Sequence, residues 1–246
     1  MQVYMSYQPV HILARPEDIA PRVVAAGDPA RVELLAKLLE DPRLVNTNRG
    51  FITYTGKYRG TLITVATHGI GGPSAAIVFE ELVMLGAKVI VRFGTAGGLI
   101  PELHVGDVVV PTGAHYNPGG TIGMYIPDGV VSAVPDFEVT RVLIDTLRGH
   151  GIEVYLGPVI TSDAFYAETE DFIKKWVSRG AIAVEMECAT LFTIGLLRKV
   201  KTGAVLVISD SLVHPEERRM KTAEELKARA LEVGRAVLDA VTRVTV

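Results

Sequence analysis

The run Val89-Ile90-Val91-Arg92-Phe93-Gly94-Thr95-Ala96-Gly97-Gly98 constrains the fold of this chain more than any other stretch. Its first half is a short apolar series of β-branched residues, the pattern of a strand covered on both faces. Such a strand belongs in an α/β sheet, because helices packed on both sides hide it. Arg92 interrupts the series with a charge that is costly to bury unless an anion meets it. The strand is then expected to open into a Gly-Thr-Ala-Gly-Gly loop, where missing β-carbons let backbone N–H groups approach a ligand. A guanidinium fork, a hydroxyl and bare backbone at the carboxyl end of a strand describe an oxyanion pocket. The competing reading is an arginine snorkelling to the sheet edge beside a tight turn.

Strands and helices alternate around this run. Residues 22–27 read as a strand, Asp28 as a cap and Pro29 as the first residue of a helix over 29–40. Arg31 falls in that helix's first turn, where the dipole disfavours a cation unless an anion shares the site. A turn over 46–50 precedes strands over 51–58 and 61–67, joined by Arg59-Gly60. A second glycine-rich loop over 67–74 leads into a helix over 73–85, with Ala76, Ile77, Leu82 and Leu85 on or near one face. Strands follow over 107–111, 154–161, 181–184 and 204–208. Residues 117–131 read as a long loop or irregular hairpin. Helices are expected over 135–148, 168–178, 185–197 and 223–241, the last repeating Leu226, Ala230, Val233, Val237 and Val241. No repeat or linker breaks the pattern, and 246 residues at 48% hydrophobic content suit one core. The expectation is a single α/β domain over 1–246, with a central mixed, mostly parallel β-sheet flanked by helices.

A net charge of −3 offers no basic face for nucleic acid or an anionic membrane. Cys188 is the only cysteine, so no intrachain disulfide can form. Residues 1–15 have no basic-then-apolar leader pattern, and no apolar run approaches about 20 residues. These features predict a soluble cytoplasmic protein.

The glycine-rich loops fit neither common nucleotide motif. Gly69-x-Gly71 lacks the third glycine of a dinucleotide fingerprint, since Ser74 stands there, and no Gly-x4-Gly-Lys-Ser/Thr run exists. What converges is basic: Gly27 with Arg31, Arg92 with Thr95, and Arg49 in Asn48-Arg49-Gly50 all stand at strand ends or loops. Arginine forks match tetrahedral oxyanions, although each alone also reads as a solvated surface cation. Glu185 and Glu187 flank Met186 where a strand gives way to a helix. A carboxylate there could hold a sugar diol while the thioether packs on the ring, or both acids could simply favour a helix start. Asp210, after Ser209, sits at the mouth of a buried strand, as a general acid or only as a cap. No His/Cys/Asp grouping has metal-ligand spacing, so no metal is expected.

The run Thr67-x-Gly69-Ile70-Gly71-x-Pro73-Ser74-x-Ala76-Ile77, with Glu81-Leu82 after it, resembles the signature of the nucleoside phosphorylase superfamily. The branch is that of hexameric purine nucleoside phosphorylases and uridine phosphorylases. Gly27-Asp28-Pro29-x-Arg31, Asn48-Arg49-Gly50, Arg92-x-Gly94-Thr95-x-Gly97, Val184-Glu185-Met186-Glu187 and Ser209-Asp210 fall in the family's order. The loops are particularly similar to those of archaeal 5′-methylthioadenosine phosphorylases.

The resemblance implies that Gly27, Arg31, Arg92 and Thr95 bind orthophosphate, a co-substrate, with Arg49 reaching in from a neighbouring subunit. Glu187 would hold the ribose hydroxyls and Met186 would pack on the sugar, with Glu185 beside them. Phe165 would stack near the base, and His11 would approach the 5′ end from the neighbour. Asp210, with Ser209 before it, would protonate or hydrogen-bond N7 of a purine. No cofactor is implied, and the assembly would be a homohexamer built as a trimer of dimers. Two positions depart from the pattern. An arginine that assists the aspartate in bacterial purine enzymes has no clear counterpart among Arg218, Arg219 and Lys221. Thr169 and Asp171 stand where uridine phosphorylases carry a Gln and an Arg. The leading expectation is therefore a purine nucleoside phosphorylase, 5′-methylthioadenosine included among its substrates. The alternatives are a uridine phosphorylase, a hydrolytic nucleosidase and a non-catalytic nucleoside-binding protein.

Overall fold

In the computed structural model, which describes residues 8–246, the run Val89–Gly98 is one continuous strand. Part of the 1–15 segment considered for a leader lies outside the described residues. The described residues form nine strands and seven α-helices in a single sheet flanked by helices. In chain order these are β1 (Arg22–Ala26), α1 (Pro29–Ala36), β2 (Glu40–Asn46), β3 (Thr53–Tyr58), β4 (Thr61–Thr67) and α2 (Gly72–Met84). Then come β5 (Val89–Gly98), β6 (Val108–Tyr116), α3 (Gly120–Tyr125), α4 (Phe137–Gly149), β7 (Val154–Thr161) and α5 (Glu170–Val177). The chain ends with β8 (Ala183–Glu185), α6 (Cys188–Arg198), β9 (Lys201–Ser211) and α7 (Lys227–Arg243).

Strand order is β2-β3-β4-β1-β5-β8-β7-β6-β9, and β9 also pairs with β5, so the far half of the sheet curls closed. Five pairings are parallel and four antiparallel, so the predicted mixed sheet is parallel by a narrow margin. Alternation along β5 explains the two-sided burial. Ile90 and Ala96 join the core cluster that includes residues of α2 and α6, while Val89, Val91 and Phe93 join the cluster that includes residues of α1, α4 and α7. By the same period of two, Arg92 shares the face of Ile90.

Several expected boundaries move. The helix predicted over 29–40 stops at Ala36, because 40–46 forms an edge strand whose Pro42 and exposed charges look like loop. The strand expected over 107–111 runs on to Tyr116, with a register shift against β7 between Pro111 and Gly113. The strand expected over 204–208 spans Lys201–Ser211. The 117–131 loop contains α3. Ala76, Leu82 and Leu85 are buried as expected, whereas Ile77 is partly exposed. All five repeat positions of the last helix are buried.

Candidate active site

The carboxyl ends of β1, β5 and β9 open onto a cavity of about 660 Å³. Gly27, Arg31, Arg92 and Thr95 line one part of it. Gly27 follows β1 directly, and a Cβ there would stand 2.9 Å from the carbonyl oxygen of Gly69, so the two glycine loops press together. Asp28 caps α1, its Oδ1 accepting from the Ala30 amide at 2.9 Å. That cap fixes Arg31 one turn into the helix, with Nη1 3.5 Å from the Phe93 carbonyl oxygen and the guanidinium 5.8 Å from the Phe93 ring centroid. Burial pushes the Arg31 pKa down to about 10; Arg92 adds repulsion, while Asp28 and Glu187 pull it back. Among the described residues no carboxylate stands within ion-pair distance of Arg31.

Arg92 lines the same cavity and is buried. Burial of this guanidinium is met by carboxylates of its own chain rather than requiring an incoming anion: Nη2 lies 2.5 Å from Glu187 Oε2 and 3.2 Å from Glu185 Oε2. Burial opposes its charge, but Glu187 and Glu185 outweigh that and hold the group above the ordinary arginine value. The glycine run does not form a loop that exposes backbone, as expected, but stays in β5. Its Gly94 makes room for the arginine itself, because a Cβ there would collide with the Arg92 guanidinium.

Both glutamates line the cavity, are buried, and pair with Arg92. Glu185 lines the cavity wall, yet its carboxylate is taken up internally, by the Thr161 hydroxyl at 2.5 Å, the Glu187 and Cys188 amides at 2.8 Å each, and Arg92. It holds the strand-to-helix corner in shape instead of presenting free oxygens to a sugar. Glu187 accepts the Gly71 amide at 2.6 Å through Oε1, and burial raises its pKa against the pull of Arg92. A positive φ of 83° at Gly71 aims that amide. Met186 lines the cavity between them.

Asp210, Ser209 and Phe165 line the same chamber. A bulge brings the acid there: Ala96 pairs with Ile208 but Gly97 with Asp210, so Ser209 is the extra residue and re-aims the aspartate after it. Glycine at 97 leaves room, since a Cβ would meet Leu212 Cδ1 at 2.6 Å and Asp210 Oδ2 at 3.3 Å. Burial raises the Asp210 pKa, and the Ser209 hydroxyl, donating to Oδ1 at 2.7 Å, opposes the rise. Of the three cations considered near Asp210, Lys221 lines the cavity, whereas Arg219 is paired with Glu225 at 2.5 Å.

His11 and Arg49 do not line their own chain's cavity. They lie together: Asn48 Nδ2 donates to the carbonyl oxygens of Val10 and His11 at 3.1 Å each, and Arg49 follows with a left-handed φ of 54°. Glu81 fixes the segment, accepting from the amides of Val10, His11 and Ile12 and lying 2.7 Å from His11 Nδ1. Sequence reasoning misses Glu168, which lines the cavity although its polar neighbours suggest a helix from 168 onward. The available signal is Thr169, an N-cap accepting from the Phe172 amide, which starts α5 at Glu170 and leaves Glu168 in the loop.

The sequence matches the profile of the phosphorylase superfamily over residues 21–243. It is 35% identical over 242 residues to a guanosine phosphorylase of Halorubrum lacusprofundi, covering 97% of this chain and 99% of that protein. It is 38% identical over 245 residues to a uridine phosphorylase of Treponema pallidum, covering 91% and 94%. The fold superposes on a purine nucleoside phosphorylase of Toxoplasma gondii, solved with immucillin-H, with a TM-score of 0.85 and 32% identity over 95% of this chain and 94% of that one. With its sheet, its glycine loops and its arginine-lined cavity in place, this chain belongs to the phosphorylase superfamily.

Proposed function

We propose that this protein is a purine nucleoside phosphorylase, using orthophosphate to cleave the N-glycosidic bond and release a free purine and ribose 1-phosphate. One observation carries the reading. A cation without a carboxylate partner, Arg31, and an acid held toward its protonated form, Asp210, line the same cavity, with Glu187 and Met186 also on its wall. Cleavage builds positive charge on the ribose and negative charge on the departing base. Phosphate held by Gly27, Arg31, Arg92 and Thr95 would attack C1′. The electron pair of the C1′–N9 bond would leave with the base, and Asp210 would protonate or hydrogen-bond N7. Glu187 would take the ribose hydroxyls. The names of the Halorubrum and Toxoplasma relatives support purine substrates. The Treponema relative raises uridine, but Thr169 is engaged as the cap of α5 and Asp171 lies exposed in its first turn, so neither supplies a Gln/Arg reading of uracil.

A nucleosidase has no need for a lone arginine beside Arg92, and a mere binding protein has no need for an acid with a raised pKa. Completion of each site by His11 and Arg49 of a neighbour, in a cytoplasmic hexamer, is part of the same proposal. It is supported by their joint position away from their own cavity, beside exposed Val10 and Leu13. No organic cofactor enters the reaction. The test is a panel of adenosine, inosine, guanosine, 5′-methylthioadenosine and uridine, each with and without phosphate. Purine release only with phosphate is expected; release unaffected by its omission would defeat the proposal.

A further inference from the structure

One wall of the chamber is a stretch of chain with little apolar burial to hold it. Between β9 and α7, residues 212–225 include no fully buried side chain and one short 3₁₀ turn, Pro215–Glu217. Met220, Lys221 and Ala223 nevertheless line the cavity from this segment. The position of so exposed a stretch depends on a few specific ties. On one side the Lys221 amide donates to the Ser209 carbonyl oxygen at 2.9 Å, which sets the segment beside Asp210.

The remaining long-range ties run to the end of β5 and the turn after it, residues 99–107, and no residue of that turn lines the cavity. The Leu212 amide donates to the Gly98 carbonyl oxygen at 2.9 Å. His214 Nε2 donates to the Pro101 carbonyl oxygen at 2.9 Å. Glu217 Oε2 accepts the Val105 amide at 3.1 Å and lies 3.5 Å from His104 Nδ1. Across the same gap the imidazoles of His104 and His214 stack, with centroids 4.4 Å apart and planes 19° from parallel. The stack stands outside the chamber and takes no part in the chemistry. Two rings in near-parallel contact join segments whose backbones share few bonds. We infer that His104 and His214 are positioning residues, a clasp that holds the 212–225 wall against the end of the strand bearing Arg92 and Thr95. Because the segment adjoins Asp210, the clasp serves nucleoside binding more than phosphate binding; this clause rests on the phosphorolytic reading of the site.

The test uses His104→Ala and His104→Phe, since the His104 side chain is 54% exposed and its loss leaves the core intact. The alanine variant should raise the KM for inosine about 3- to 10-fold, the worth of one aromatic stack, with kcat and the KM for phosphate within about twofold of wild type. The phenylalanine variant keeps a stacking face and should restore the inosine KM. An unchanged inosine KM in His104→Ala, or no rescue by phenylalanine, would overturn the inference. A second measurement needs no turnover: trypsin cuts after exposed Arg218 and Arg219, and cleavage there should quicken about 3- to 10-fold in His104→Ala. Equal cleavage of variant and wild type would overturn the clasp. Absence of phosphate-dependent release by the wild type would instead defeat the phosphorolytic reading, and the cleavage rates would still decide the clasp.

Discussion

Gly94 shows at the scale of one residue how a missing methyl group shapes the site. The Arg92 guanidinium lies where a Cβ of Gly94 would be, with Glu185 and Glu187 holding it from the other side. Gly94→Ala should displace the arginine and raise the KM for phosphate by about 10- to 100-fold, the loss of one charge-assisted contact. Steady-state kinetics at varied phosphate would check this, and an unchanged KM would detach Arg92 from the anion. Asp210→Asn should lower kcat by about 10²- to 10⁴-fold, the usual worth of a positioned acid. Because burial raises the Asp210 pKa, its protonated form persists to higher pH than that of an exposed aspartate. The wild-type rate should therefore fall on the alkaline side as this group ionises. A pH profile of Asp210→Asn at saturating phosphate should lack that descent.

At the scale of elements, α2 links the site to the surface beside it. Its N-terminal end begins at the Gly71 amide that holds Glu187, and Glu81 three turns on gathers the amides of residues 10–12. Burial alone would raise the Glu81 pKa, but those bonds and His11 hold it below the usual glutamate value. A depressed pKa means stabilisation that is complete at neutral pH and lost as pH falls through the folded value. Glu81→Ala removes the acceptor of the buried Ile12 amide and of the part-buried Val10 and His11 amides, which costs about 2–3 kcal/mol. For a chain of this size that lowers Tm by roughly 5–10 °C at pH 7, with a smaller deficit in acid. Thermal melts at two pH values would check both. The bulge at Ser209 is the counterpart in β9: without it Asp210 would pair one position away and point to the other face.

At the scale of the whole molecule, the curled half of the sheet brings the ends of β5 and β9 side by side, so Arg92, Thr95 and Asp210 line one cavity. His11 and Arg49 stay outside it, which makes sharing between subunits testable by mixing. If the proposed sharing holds, Asp210→Asn spoils a chain's own site and Arg49→Ala spoils its neighbour's. In a mixed pair one of the two sites holds both intact residues, so denaturing and refolding the variants together should recover about a quarter of wild-type activity. No recovery would place Arg49 in its own chain's chemistry, and full activity of Arg49→Ala by itself would place it in none.

The sequence by itself determined the elements whose reasons are local. The β-branched run of β5, the Asp28-Pro29 start of α1 and the apolar repeat of α7 each follow from short-range periodicity and capping. Gly27, Arg31, Arg92, Thr95, Met186, Glu187 and Asp210, singled out by their residue types at strand ends and by the family resemblance, all line one cavity. Edge strand β2 was not legible, because only pairing with β3 makes a Pro-bearing charged segment a strand. Nor could spacing show that Arg92 and Glu185 neutralise each other, 93 residues apart, or that Glu168 turns into the cavity. Those facts depend on which distant segments meet, and long-range contacts are decided by the packing of the folded chain, not by any window of its residues.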